Sequence, residues 1–155
     1  MKKYTGLLTF GICLISATLY GCMNSDAGQT RAVAFTIESS GVQSGVPSQQ
    51  FQIIISDSQY SSLLSTITIT GNPPSVDFSR KELVTIFTGM NNGCFPDLLS
   101  LESVIETANT VTISVKRIIA TPPPGTACPL ARIYGGPYMF ISMPKTDKLV
   151  SLSIE

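Results

Sequence analysis

Histidine and tryptophan are absent from this chain. Without imidazole there can be no His-based triad or dyad, and zinc loses its commonest nitrogen ligand. Charge is scarce as well. Asp, Glu, Lys and Arg make up 13% of the 155 residues, about half the usual share. So little charge excludes a coiled coil and a charged disordered tail. The 10 basic and 10 acidic residues cancel. A phosphate-binding surface needs a basic excess, so nucleic acid is not an expected partner. Long apolar runs are missing too, apart from one near residue 1, which falls short of the roughly 20 residues a membrane-spanning helix requires.

That run is part of an address. Met1-Lys2-Lys3 is a short positive region, residues 6–17 are apolar, and Leu19-Tyr20-Gly21-Cys22 closes the segment. This is the layout of a bacterial secretory signal. Its last four residues resemble a lipobox, in which the Cys is lipidated and becomes the new first residue. Residues 1–21 are therefore expected to be a lipoprotein signal peptide, with Cys22 carrying the acyl chains, palmitate among them. Several acyl tails together give stable anchoring. Met23 follows Cys22, with no Asp there; by resemblance to Gram-negative lipoproteins this favours the outer membrane. Removing Lys2 and Lys3 leaves 8 basic against 10 acidic residues, a net charge of −2. Residues 22–31 are small and polar without periodicity, and read as a flexible tether. One domain remains, residues 32–155.

This domain reads mostly as strands. Val, Ile and Thr account for 41 of the 155 residues, and β-branched side chains suit pleated surfaces. Strands are predicted over residues 32–38, 51–55, 83–87, 98–106, 110–117, 138–143 and 148–154, with a short extended piece at 76–78. The apolar run at 51–55 reads as a central strand. In 110–117, Val111, Ile113 and Val115 alternate with Thr112, Ser114 and Lys116, the pattern of a half-buried strand. A single helix is predicted after Ser56. Ser56 and Gln59 form a capping box, and Tyr60, Leu63, Leu64 and Ile67 fall on one helical face. Strands without intervening helices imply antiparallel pairing. The expected fold is mainly β: an antiparallel sandwich or rolled sheet with one short helix.

Four cysteines are present. Cys13 is lost with the signal and Cys22 is taken by lipid. Cys94 and Cys128 then form an even pair in an exported domain, which reads as one disulfide. Closing the 34 residues between them would stabilise by roughly 3–4 kcal/mol. Too few sulfur ligands remain for zinc, and neither a metal nor a cofactor is expected.

Candidate chemistry is thin. Ser142-Met143-Pro144-Lys145 matches the Ser-x-x-Lys nucleophile motif, but Pro144 and the extended context do not supply the helix turn that motif needs. Glu102 and Glu106 read as a solvated strand face. Asp57, Asp77 and Asp97 are too scattered for a calcium loop. No catalytic residue is expected. The cluster Tyr134-Gly135-Gly136-Pro137-Tyr138, together with Phe95 beside Cys94, has the composition of a recognition surface. Phe95, Tyr134 and Tyr138 are therefore the expected partner-binding residues. The alternative, equally weighted for the two tyrosines, is that their rings fold back onto the core.

The order of these landmarks resembles the PrcB-like family, small lipoproteins associated with secreted or surface proteases. The likeness spans residues 35–145. It runs through Ser40-Gly41 and Ser44-Gly45, the apolar strand and the helix at 56–64, Val76-Asp77-Phe78-Ser79, and a strand ending at Gly89. It continues through residues 110–115, the Pro-Pro-Gly loop, and Pro137-Tyr138 leading to Lys145. Where the family often has Gly-Gly-Tyr, this chain has Asn92-Gly93-Cys94-Phe95. The resemblance implies an accessory protein rather than an enzyme. The expectation is a lipid-anchored, non-enzymatic cell-envelope protein that binds and stabilises or restrains another exported protein, a protease being the implied class. The alternative is a structural or small-ligand-binding envelope lipoprotein.

Overall fold

A computed structural model of the chain describes residues 29–69, 71–90, 97–119, 121, 123–125 and 135–155. Eight strands and one helix follow in chain order among them: β1 (Arg31–Ala32), β2 (Thr36–Gly41), β3 (Gln49–Ile54), α1 (Asp57–Leu64), β4 (Lys81–Thr88), β5 (Leu98–Glu106), β6 (Thr110–Ile118), β7 (Tyr138–Pro144) and β8 (Leu149–Ile154). They form two four-stranded sheets. One has the order β1-β5-β6-β8 and the other β2-β7-β4-β3. The fold is thus the mainly β sandwich with one short helix that the sequence predicts.

Three layers explain which strands are buried on both faces. Along β4, Val84 and Ile86 point between the sheets, where they meet Met139, Ile141 and Met143 of β7 and Val111, Ile113 and Val115 of β6. The alternate residues Leu83 and Phe87 join Tyr138 and Phe140 on the opposite face, under Tyr60 and Leu63 of α1 and Phe78 of the loop that follows it. Strands β4 and β7, central in their sheet, are therefore buried almost end to end. Strand β6 covers only the inner side and keeps the predicted alternation.

The helix begins as its capping box requires. The Ser56 hydroxyl accepts the Gln59 backbone N–H at 3.3 Å. The Gln59 side chain reaches back one residue further than the usual box, its Oε1 accepting from the Ile55 N–H at 2.9 Å. Tyr60 donates its hydroxyl to the Pro74 carbonyl at 2.9 Å and its ring tilts against Phe78 at 5.7 Å. Leu63 is buried beside it. Leu63→Ala should cost about 2–3 kcal/mol in urea unfolding, the low end for a buried Leu because a surface helix can settle into the gap. Residues 76–78 form no strand; Asp77 instead holds the turn into β4. Its carboxylate accepts from the Ser79 hydroxyl and backbone and from Arg80, and these bonds hold its pKa down at about 2.

Three expectations are corrected. The predicted strand at 32–38 is two pieces, because the chain crosses between sheets at residues 33–35: β1 pairs with β5 and β2 with β7. The apolar run at 51–55 is an edge strand, bonded to β4 alone among the described residues. Its apolar character reflects two covered faces, with Phe51 against the inter-sheet core and Ile54 under the helix layer. Pairing is antiparallel except that β6 and β8 run parallel, Thr110 opposite Leu149 through Val115 opposite Ile154. Parallel neighbours need a crossover of a dozen or more residues; here strand β7, in the other sheet, takes the place of the usual helix.

Candidate interaction surface

The two ends of the sandwich are held by different contacts. At one, the chain enters through Arg31, which lies opposite Glu106 on β5. The Glu106 carboxylate accepts from Arg31 Nη2 at 2.6 Å and is paired with Lys148 Nζ at 2.6 Å. Both cations hold its pKa below the usual carboxylate range, Lys148 contributing more. Lys148 also donates to the Thr107 carbonyl at 2.7 Å, tying the β5–β6 turn to the β7–β8 turn. Beside this knot lies a cleft of about 380 Å³, lined in part by Val33, Ala34, Val111 and Met143.

The opposite end holds the described residues on either side of 91–96 and the residues that follow 126–134, called the loop roots below; 91–96 and 126–134 themselves lie outside the described residues. Gly89, Gly135 and Gly136 meet there backbone against backbone. A Cβ on Gly136 would collide with the Gly89 carbonyl oxygen and sit 2.7 Å from Thr88 Oγ1. Gly135, with φ +79°, lies so close to Gly45 and Val46 that any side chain would strike their amides. The Met90 N–H bonds to the Pro47 carbonyl at 3.2 Å, and that of Thr88 to Pro137 at 3.2 Å. On the other sheet, buried Asp97 accepts from Arg117 Nε at 2.6 Å and Nη2 at 2.5 Å, fixing the start of β5. Around these roots four large apolar side chains are open to solvent: Met90 is 51% exposed, Leu98 51%, Ile118 46% and Ile119 71%.

Cys22, Cys94, Phe95, Cys128 and Tyr134 lie outside the described residues. Tyr138 lies within them and is corrected. It is 0% exposed, with its ring edge-on to Phe140 at 5.5 Å and its hydroxyl 3.4 Å from that of Ser39. Gly41 leaves it room, since a Cβ there would fall 2.6 Å from the Tyr138 ring. The ring therefore folds back onto the core and offers no contact surface. Strand alternation explains this: Tyr138, Phe140 and Ser142 share the face of β7 that lies under the helix layer.

The partner of Ser142 is not Lys145. Its hydroxyl donates to Glu38 Oε1 at 2.5 Å and accepts from Lys81 Nζ at 3.3 Å, while Lys81 and Glu38 stand 3.8 Å apart. A serine that already gives its proton to a carboxylate, and receives one from an ammonium group, is held as a clamp between β2, β4 and β7. The β-bulge in β2, between Ile37 and Ser39, falls at Glu38, so sequence spacing gives no hint of this trio.

Glu82 is the second feature missed, although its signal was present: alternation places it on the same face as Val84 and Ile86. It is 3% exposed and its Oε1 has no hydrogen-bond partner among the described residues. Burial pushes its pKa above the ordinary value, with a Thr146 backbone N–H and the Lys145 charge opposing this. A raised carboxyl pKa means the folded state binds the proton more tightly than the unfolded one. Stability from this group is then present below the ordinary value of 4.5 and lost as pH rises through the folded value. Glu82→Met should stabilise by about 1–3 kcal/mol at pH 7, and urea unfolding at pH 4 should show the gain shrinking. An equal gain at both values would show that the carboxylate is not penalised.

Comparison with protein-family models, with curated proteins and with solved structures finds no match.

Proposed function

We propose that this chain is a lipid-anchored, non-enzymatic cell-envelope protein that binds another exported protein and stabilises or restrains it. The PrcB-like resemblance makes a protease the first class of partner to test. The supporting observation is the separation of the two ends. Arg31, the last residue of the segment read as a tether, sits at the Glu106 end of the sheet. The loop roots sit at the other end of β6, whose nine residues span about 30 Å. An anchor at Cys22 would hold the first end near the membrane and present the exposed Met90, Leu98, Ile118 and Ile119 away from it.

Two measurements test this. Cys22→Ser should move the protein from the outer-membrane to the soluble fraction. A photo-crosslinking residue at Met90 or Ile119, in the full chain in cells, should give a discrete adduct with an exported protein, whereas one at Thr146 should not. Equal adducts from both ends, or none from Met90 and Ile119, would refute the loop-end contact.

A second reading, small-ligand binding, is favoured by the 380 Å³ cleft whose lining includes Val33, Val111 and Met143. If it holds, single-chain amphiphiles should raise the melting temperature, and Ala34→Trp should abolish that rise.

A further inference from the structure

Strand β3 is an edge without the usual protection. Natural edges carry charges, prolines or bulges that discourage a further strand. From Ser39 through Ser56 the chain has no Asp, Glu, Lys or Arg, and β3 pairs with β4 in unbroken register from Gln49 to Ile54. The direction of its backbone groups follows from β4. The Thr88 N–H bonds to Pro137 and the Lys145 N–H to Arg80, so the even-numbered residues of β4 face β7. Antiparallel alternation then turns Leu83, Thr85 and Phe87 toward β3, where they meet Ile54, Gln52 and Gln50. The N–H and C=O groups of Phe51 and Ile53 point outward, and among the described residues no strand lies beyond them.

A groove of about 500 Å³ runs beside this edge. One wall is Gln52, Ile53 and Ile54; the other is Gln59, Ser62 and Leu63 of α1, with Thr66 of the turn that follows it. No lining residue is charged. The walls offer neutral hydrogen-bonding groups with Leu63 and Ile54 between them. An unpaired edge beside a helix is the arrangement used for strand addition, in which main-chain bonds supply affinity and the groove reads alternate side chains.

We propose that this edge and groove bind an extended, uncharged segment of a protein partner, which joins the sheet as a fifth strand beyond β3. The absence of charge in the walls selects the segment's chemistry. The size of the contact argues for a segment rather than a second copy of this chain. Six residues extend about 20 Å, and a strip that long and one strand wide covers far less than the roughly 800 Å² per partner of a standard stable interface. The surface is separate from the loop roots, so it stands or falls independently of the contact proposed there.

The probe is a phage-displayed library of random nine-residue peptides, selected on the full chain in detergent micelles. Selected peptides should be poor in Asp, Glu, Lys and Arg, and should slow hydrogen exchange at the Phe51 and Ile53 amides by tenfold or more. Ile53→Pro removes one outward N–H and leaves the ladder to β4 intact. It should reduce peptide binding at least tenfold while the melting temperature stays within a few degrees. If Ile53→Pro fails to fold, Ile53→Lys supplies the same test by placing a charge on the edge. The proposal is overturned if selected peptides protect other residues, if they are charged, or if binding survives in both variants. It is equally overturned if the two amides become protected with rising protein concentration alone, which would make a second copy the occupant.

Discussion

Tyr138→Ala is expected to destabilise the domain by about 3–5 kcal/mol, the range for emptying a buried aromatic site. The ring is fully buried, stands edge-on to Phe140, and fills the space that Gly41 leaves open. Neighbouring backbone cannot collapse into the vacated volume, because β2 and β4 are both hydrogen-bonded to β7. Tyr138→Phe should cost less, about 1 kcal/mol, since the ring and its packing are kept and the hydroxyl, 3.4 Å from that of Ser39, is removed. Chemical unfolding of the two variants checks both values. Any loss of partner capture by the Ala variant should track the folded fraction. A loss of capture at full stability would restore Tyr138 as a contact residue.

Gly136→Ala should be at least as damaging, at about 3 kcal/mol or more. The added methyl meets the Gly89 carbonyl oxygen and the Thr88 hydroxyl, and the obstacle is backbone held by the Thr88–Pro137 hydrogen bond, so little can give. Gly71→Ala is the control. Its φ of +91° strains any side chain, but nothing among the described residues lies within 4 Å, so the cost should be only about 1–2 kcal/mol. If the two variants unfold alike, the close approach of the loop roots is wrong. If Gly136→Ala is much the worse, the chain at Gly89 and at Gly136 is held to one point by glycine backbone.

The contrast between Tyr138 and β6 shows where sequence reasoning works. Alternation in β6 and the capping box at Ser56 are local, and each is found as read. The continuous apolar runs of β4 and β7 are buried on both faces. Tyr138 follows two glycines and a proline, and that neighbourhood suggests an exposed turn. Its burial depends on Gly41, nearly a hundred residues earlier, and no spacing rule links the two. The edge position of β3 was hidden for a related reason: apolar content reports covered faces, while edge or centre is decided by hydrogen-bond partners elsewhere in the chain. The Glu38–Ser142–Lys81 trio depends on a bulge and on three strands at once.

The parallel pairing of β6 with β8 bears on the order of assembly. Strands β5 and β6 can zip as a hairpin as soon as both have been made, because their turn is three residues long. β6 gains its second neighbour only when Leu149 reaches Thr110, 39 positions away, across a stretch of chain that includes β7 of the opposite sheet. Contacts of such separation pay their loop-closure entropy before any bond forms, which slows folding. The sheet that holds β8 should therefore be completed late, only after residues 149–154 have been made.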